Sequence, residues 1–62
     1  MKVKIEIRCD NAAFFEGGVE HEIARILHKL AGELAESTVA DMDMHPLFDA
    51  NGNGVGRFTV HK

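Results

Sequence analysis

The sequence predicts an α+β fold: a single β-α-β-β domain, its three-stranded, mainly antiparallel sheet carrying one helix on one face. Three observations predict it: strict alternation over residues 2–9, a helical apolar period over residues 19–36, and a hairpin signature around Asn51-Gly52. Sixty-two residues and 6.8 kDa leave room for one domain, residues 1–62, and no interdomain cleft.

In K-V-K-I-E-I-R-C, Val3, Ile5, Ile7 and Cys9 fall on one face, with Lys2, Lys4, Glu6 and Arg8 on the other. Period-two alternation with β-branched residues inside predicts a half-buried strand. Cys9 continues the inward phase and reads as a small buried hydrophobe. D-N-A-A-F-F-E-G-G follows as a loop, bounded by Asp-Asn and Gly-Gly and pinned to the core by Phe14 and Phe15.

From Val19 to Glu36 the period becomes helical. Val19, Ile23, Ile26, Leu27, Leu30 and Leu34 form one apolar stripe. Glu20 and Glu22 suit the positive end of the helix dipole. Ala24, Ala31 and Ala35 form a small-residue ledge suited to packing on a sheet, while Gly32 costs about 1 kcal/mol relative to Ala.

Residues 37–45 read as a connection. P-L-F-D-A-N-G-N-G-V-G-R-F-T-V-H then reads as a hairpin, with a type I′ turn or a bulged three-residue loop at Asn51-Gly52. Pro46 opens its first strand, where no ladder N–H is needed. In the last strand Phe58 and Val60 share one face and Arg57, Thr59 and His61 the other.

Composition bounds the function. Apolar and charged fractions of 45% and 27% are those of an ordered domain. No apolar run approaches the roughly 20 residues of a membrane span. The N-terminus lacks the continuous apolar core of a signal peptide, so a cytoplasmic protein is expected. A lone Cys9 makes no internal disulfide, and a chain this short buries only about 60% of its unfolded surface. An oligomer or bound partner would supply what the small core lacks.

The net charge is −3, unevenly spread. Residues 1–9 carry +2 and residues 55–62 carry +2. The stretch between sets nine acids against Arg25 and Lys29 and carries −7. An acidic middle repels phosphate and argues against direct nucleic-acid binding.

Each candidate constellation has a plainer reading beside it. Asp49, Asn51 and Asn53 with Gly54 imitate the opening of a calcium loop, but the twelfth position is Val60 instead of Glu, which favours a hairpin turn. Asp41, Asp43 and His45 alternate as a divalent-metal set would, or are solvated loop charges. His21 and His28, seven apart with Arg25 between them, read as exposed helix residues, or as a pair that would make a partner interaction pH-sensitive. Ser37 is the only serine, which weighs against serine hydrolysis. No enzymatic constellation emerges, and no cofactor is expected.

The acids themselves remain. Glu16, Glu20, Glu22, Glu33 and Glu36, extended by Asp41 and Asp43, form either a solubilising face or a row that imitates phosphates and competes for a basic groove. Arg25 and Lys29 interrupt it.

The strings I-E-I-R-C-D-N-A-A-F, E-I-A-R-I-L-H-K-L-A and L-F-D-A-N-G-N-G-V-G-R-F-T-V cover nearly the whole chain. With their D-N-A-A-F strand end and D-x-N-G-N-x-V-G hairpin, they resemble a family of very small proteins of phages and mobile elements. A protein of this size and acidity looks like an anti-CRISPR protein, some of which inhibit type I surveillance complexes by mimicking DNA. The resemblance implies a non-enzymatic inhibitor in the bacterial host cell, binding a Cas subunit through the seven acids named above. A net charge of only −3 and basic terminal strands depart from a strong DNA mimic. The alternative is an interaction or regulatory module that self-associates as a homodimer, through a sheet edge or an exposed apolar patch.

Overall fold

The computed structural model describes residues 1–36 and 43–62. Along the chain run β1 (Lys2–Ile7), α1 (Ala12–Glu16), α2 (Val19–Glu36), β2 (Met44–Phe48) and β3 (Gly54–His61). The three strands form one antiparallel sheet in the order β1-β3-β2, so the C-terminal strand is central. This is the expected α+β architecture, with one addition.

The addition is α1. The segment read as a loop makes a turn of helix after Asn11, whose carbonyl accepts the Phe14 N–H at 3.0 Å. Only half of its expected anchor holds. Phe14 is fully enclosed, whereas Phe15 is 69% exposed. Gly18, at φ +92°, separates the two helices, and its carbonyl accepts the first α2 bond from the Glu22 N–H at 3.1 Å. A positive φ at this N-cap position suits glycine.

α2 occupies the expected residues but buries a narrower stripe. Ile26 and Leu30 are buried and Ile23 and Leu34 half-buried, against Phe14, Leu47, Val55, Phe58 and Val60. Val19 and Leu27 stay exposed, and Ala24, Ala31 and Ala35 face solvent instead of forming a ledge on the sheet. The physical reason is width. α2 packs over the β2 side of a sheet only three strands wide, so one line of side chains suffices.

β1 pays for this placement. Val3, Ile5 and Ile7 pair with Val60, Phe58 and Gly56 and so share the core face. Ile7 and Cys9 reach the core, but Val3 and Ile5 remain 48% and 45% exposed. The half-buried face expected for this strand is open over its first half.

β2 starts at Met44, two residues before Pro46, so His45 belongs to a strand and not to the connection. The Val60 N–H donates to Asp43 O at 3.1 Å. Antiparallel parity then gives His45 and Leu47 the bonds to β3, and leaves Pro46 at a position whose missing N–H faces outward. Beyond Leu47 the register slips by one, since Leu47 faces Gly56 and Phe48 faces Gly54. Val55 is the extra residue, and the slip turns it into the core at 1% exposure.

The hairpin loop is longer than expected. Residues 49–53 lie between the strands, closed by Asp49 N–H to Asn53 O at 2.9 Å and Gly52 N–H to Asp49 O at 3.1 Å. Only Gly52, at φ +86°, has a positive φ here, which excludes the I′ turn and leaves a five-residue loop built on a type I turn. No helix among the described residues is long and apolar enough to cross a membrane.

Candidate functional site

Of the seven acids expected on one surface, the structure describes six and separates them into two groups. Glu16, Glu20, Glu36 and Asp43 are exposed and make no ion pair among the described residues. Glu22 and Glu33 are engaged internally. Asp41 lies outside the described residues, as does Ser37.

Glu22 is the main correction. It shares the helical phase of Ile26 and Leu30, steps of four, and is only 5% exposed. Arg25 forks onto it, Nε to Oε1 at 2.9 Å and Nη2 to Oε2 at 3.0 Å. The Ala50 N–H donates to Oε2 at 2.8 Å, and Arg25 Nη2 reaches Phe48 O at 3.1 Å. A planar guanidinium on a carboxylate makes a strong, directional pair. Hydrogen bonding by Arg25 holds the Glu22 carboxyl below its usual range against the opposing effect of burial, helped by Ala50. Glu22 is therefore a tie between α2 and the hairpin, withdrawn from any partner.

Asp49 completes that tie. It is 4% exposed. Oδ1 accepts the Asn51 and Asn53 N–H groups, each at 2.9 Å; Oδ2 accepts Asn11 Nδ2 at 3.1 Å and Asn53 Nδ2 at 3.3 Å. Burial works to raise its pKa, but the Asn53, Asn11 and Asn51 bonds outweigh it and the net shift is downward. Donors surround both oxygens, so the resemblance to a calcium loop dissolves into an Asx-type turn. Neither Arg25 nor Asp49 stands out in the sequence as a structural anchor. The available signal is an acid, Glu22, lying inside the apolar stripe with an arginine three residues on.

Glu33 meets His45 Nε2 across α2 and β2. With Ile26, Lys29, Leu30 and residues 46–48 they line a cavity of about 150 Å³. His45 thus turns toward α2 and meets Glu33, while Asp41 of the expected metal set lies outside the described residues. Among the described residues no group of three or more His, Cys, Asp or Glu is arranged to hold a metal. His21 and His28 are exposed, as expected. Cys9 is half-buried against the core, with Sγ 3.7 Å from Ile7 O.

Charge is sorted by face. Lys2, Lys4, Glu6, Arg57, Thr59 and His61 alternate with the core residues and so occupy the sheet face away from the helices. There Lys4 Nζ meets Glu6 Oε1 at 3.1 Å, lowering the Glu6 pKa by hydrogen bond and charge. On the helical side, residues 12–36 carry five carboxylates against Arg25 and Lys29. Lys2, Lys4 and Arg57 thus lie across the sheet from the helix acids.

Searches of family models, of curated proteins and of solved structures return no match to this chain.

Proposed function

We propose that this chain is a non-enzymatic binding protein of the anti-CRISPR type, acting in the bacterial cytoplasm. Its exposed carboxylates, Glu16, Glu20, Glu36 and Asp43, engage the basic, nucleic-acid-binding groove of a Cas subunit in a type I surveillance complex. One observation supports this reading: Lys2, Lys4 and Arg57 of the two terminal strands sit on the sheet face opposite the helix acids. Carboxylates left free in solvent steer toward a positively charged groove and compete there with phosphate. Glu22 and Glu33 take no part, because Arg25 and His45 hold them.

Capture of type I complex subunits on the immobilised protein tests the proposal. The native chain is expected to retain a subunit, less so as salt rises. Replacing Glu16, Glu20, Glu36 and Asp43 together by lysine should abolish retention. Unchanged capture by that variant, or no capture by the native chain, overturns the reading.

A further inference from the structure

We propose that a second copy of this chain pairs with the outer edge of β1, antiparallel and centred on Ile5, so that Lys4 of each copy faces Glu6 of the other. β1 ends the sheet, with only β3 beside it. The Arg8 N–H bond to Val55 O, 2.7 Å, sets the parity of that ladder. Bonded residues alternate in antiparallel pairing, so Lys2, Lys4, Glu6 and Arg8 turn their backbone groups toward β3. The N–H and C=O groups of Val3, Ile5 and Ile7 point away from it, with no partner strand among the described residues. The opposite edge is blunted: in β2, Pro46 removes an outward donor that a further strand would use.

Side chains favour the same edge and select one register. Val3 and Ile5 lie on the core face yet are about half exposed, because the helices do not cover β1. Only odd-numbered residues offer outward groups, so a second β1 must align odd with odd. Centring on Ile5 gives three bonded pairs, Ile5 with Ile5 and Val3 with Ile7 twice, all apolar and on one face. It also sets Lys4 opposite Glu6 twice on the other face. Sliding the second strand by two residues one way puts Lys4 against Lys4, and the other way Glu6 against Glu6. Like charges directly opposite disfavour both. In the centred register Lys2 and Arg8 meet only at the ends of the ribbon. The product is a twofold-symmetric, continuous sheet twice as wide, with both helical layers on one face.

This pairing is independent of the acidic face, since Lys4 and Glu6 lie on the other side of the sheet. Sedimentation equilibrium from micromolar to millimolar protein tests it. The native chain is expected to show a reversible monomer–dimer equilibrium. Lys4 and Glu6 side chains are 62% and 47% exposed, so reversing them leaves the core untouched, although E6K sets a cation opposite Arg57 in the β1–β3 ladder. K4E or E6K alone should weaken the dimer by about tenfold, and the double swap K4E/E6K should restore it. Ile5→Pro removes an outward N–H, leaves the bonds to β3 in place, and should abolish the dimer. Far-UV circular dichroism checks each variant for native structure. A chain monomeric throughout the range overturns the proposal, as does a dimer indifferent to the charge reversals and to Ile5→Pro.

Discussion

Arg25 forks onto Glu22 at 2.9 and 3.0 Å, while the same guanidinium reaches Phe48 O and the same carboxylate takes the Ala50 N–H. One ion pair within the second helix thereby fastens the hairpin to it. Asp49, next to Ala50, uses its own carboxylate to shape the loop and to hold Asn11 at the start of the first helix. In a chain without disulfides, these two acids connect both helices and the hairpin.

That arrangement predicts acid sensitivity. Glu22 and Asp49 titrate below their ordinary values of 4.5 and 3.8, so each binds its proton more weakly folded than unfolded. The stability they contribute is complete above about pH 4.5 and is lost as pH falls through their depressed folded values. Thermal unfolding followed by circular dichroism should show a falling midpoint below that pH. Glu22→Gln is expected to lower the midpoint at neutral pH and flatten its acid limb. Glu20→Gln, exposed and held only by the helix dipole, should change both far less.

Adjacent phenylalanines should behave oppositely. Phe14 is fully enclosed and belongs to the core, whereas Phe15 is 69% exposed. Truncating a buried phenylalanine costs about 3–5 kcal/mol. A domain of this size holds about 3–9 kcal/mol in all. Phe14→Ala should therefore lose most or all of the cooperative transition in urea. Phe15→Ala should move its midpoint little.

This pair shows where reading the sequence stops. Alternation and helical period are local, so the limits of α2 and the alternation of β1 were legible from spacing alone. What covers each apolar face is not local. Whether Phe14 or Phe15 turns inward depends on the turn of helix after Asn11. Whether Val3 and Ile5 are buried depends on which side of the sheet the helix crosses. Spacing alone reads Glu22 as a surface acid, because Ala50, whose N–H it accepts, and Phe48, whose carbonyl its partner Arg25 reaches, come more than twenty residues later. The slip that buries Val55 is likewise a property of two paired strands. The acids on the helices were legible as residues, but their division into free and engaged was not.

Calcium should leave this protein unmoved despite the D-x-N-x-N-G spacing. Four donors already converge on the Asp49 carboxylate, and an ion there would have to displace N–H groups that point at it. The twelfth position is Val60, which packs in the core and offers no oxygen side chain. Adding millimolar calcium is expected to shift neither the thermal midpoint nor the heat signal in titration calorimetry. A saturable rise in the midpoint would contradict the turn described here.

Two glycine-to-alanine changes should have opposite signs. At Gly56 a Cβ would run into the Glu6 carbonyl, with the Glu6 carbonyl carbon at 2.7 Å and Ile7 Cα at 3.0 Å. These are backbone atoms of the paired strand, and they cannot move without opening the β1–β3 ladder. Gly56 faces Ile7 across a non-bonded antiparallel pair, where the two backbones approach most closely. Gly56→Ala should cost at least the about 1–3 kcal/mol typical of overpacking. Gly32 lies within the second helix with nothing near its missing Cβ. Gly32→Ala should gain about 0.5–1 kcal/mol by restoring helix propensity. Urea midpoints measured side by side check both, and an equal response at the two positions would contradict the close approach of β1 and β3.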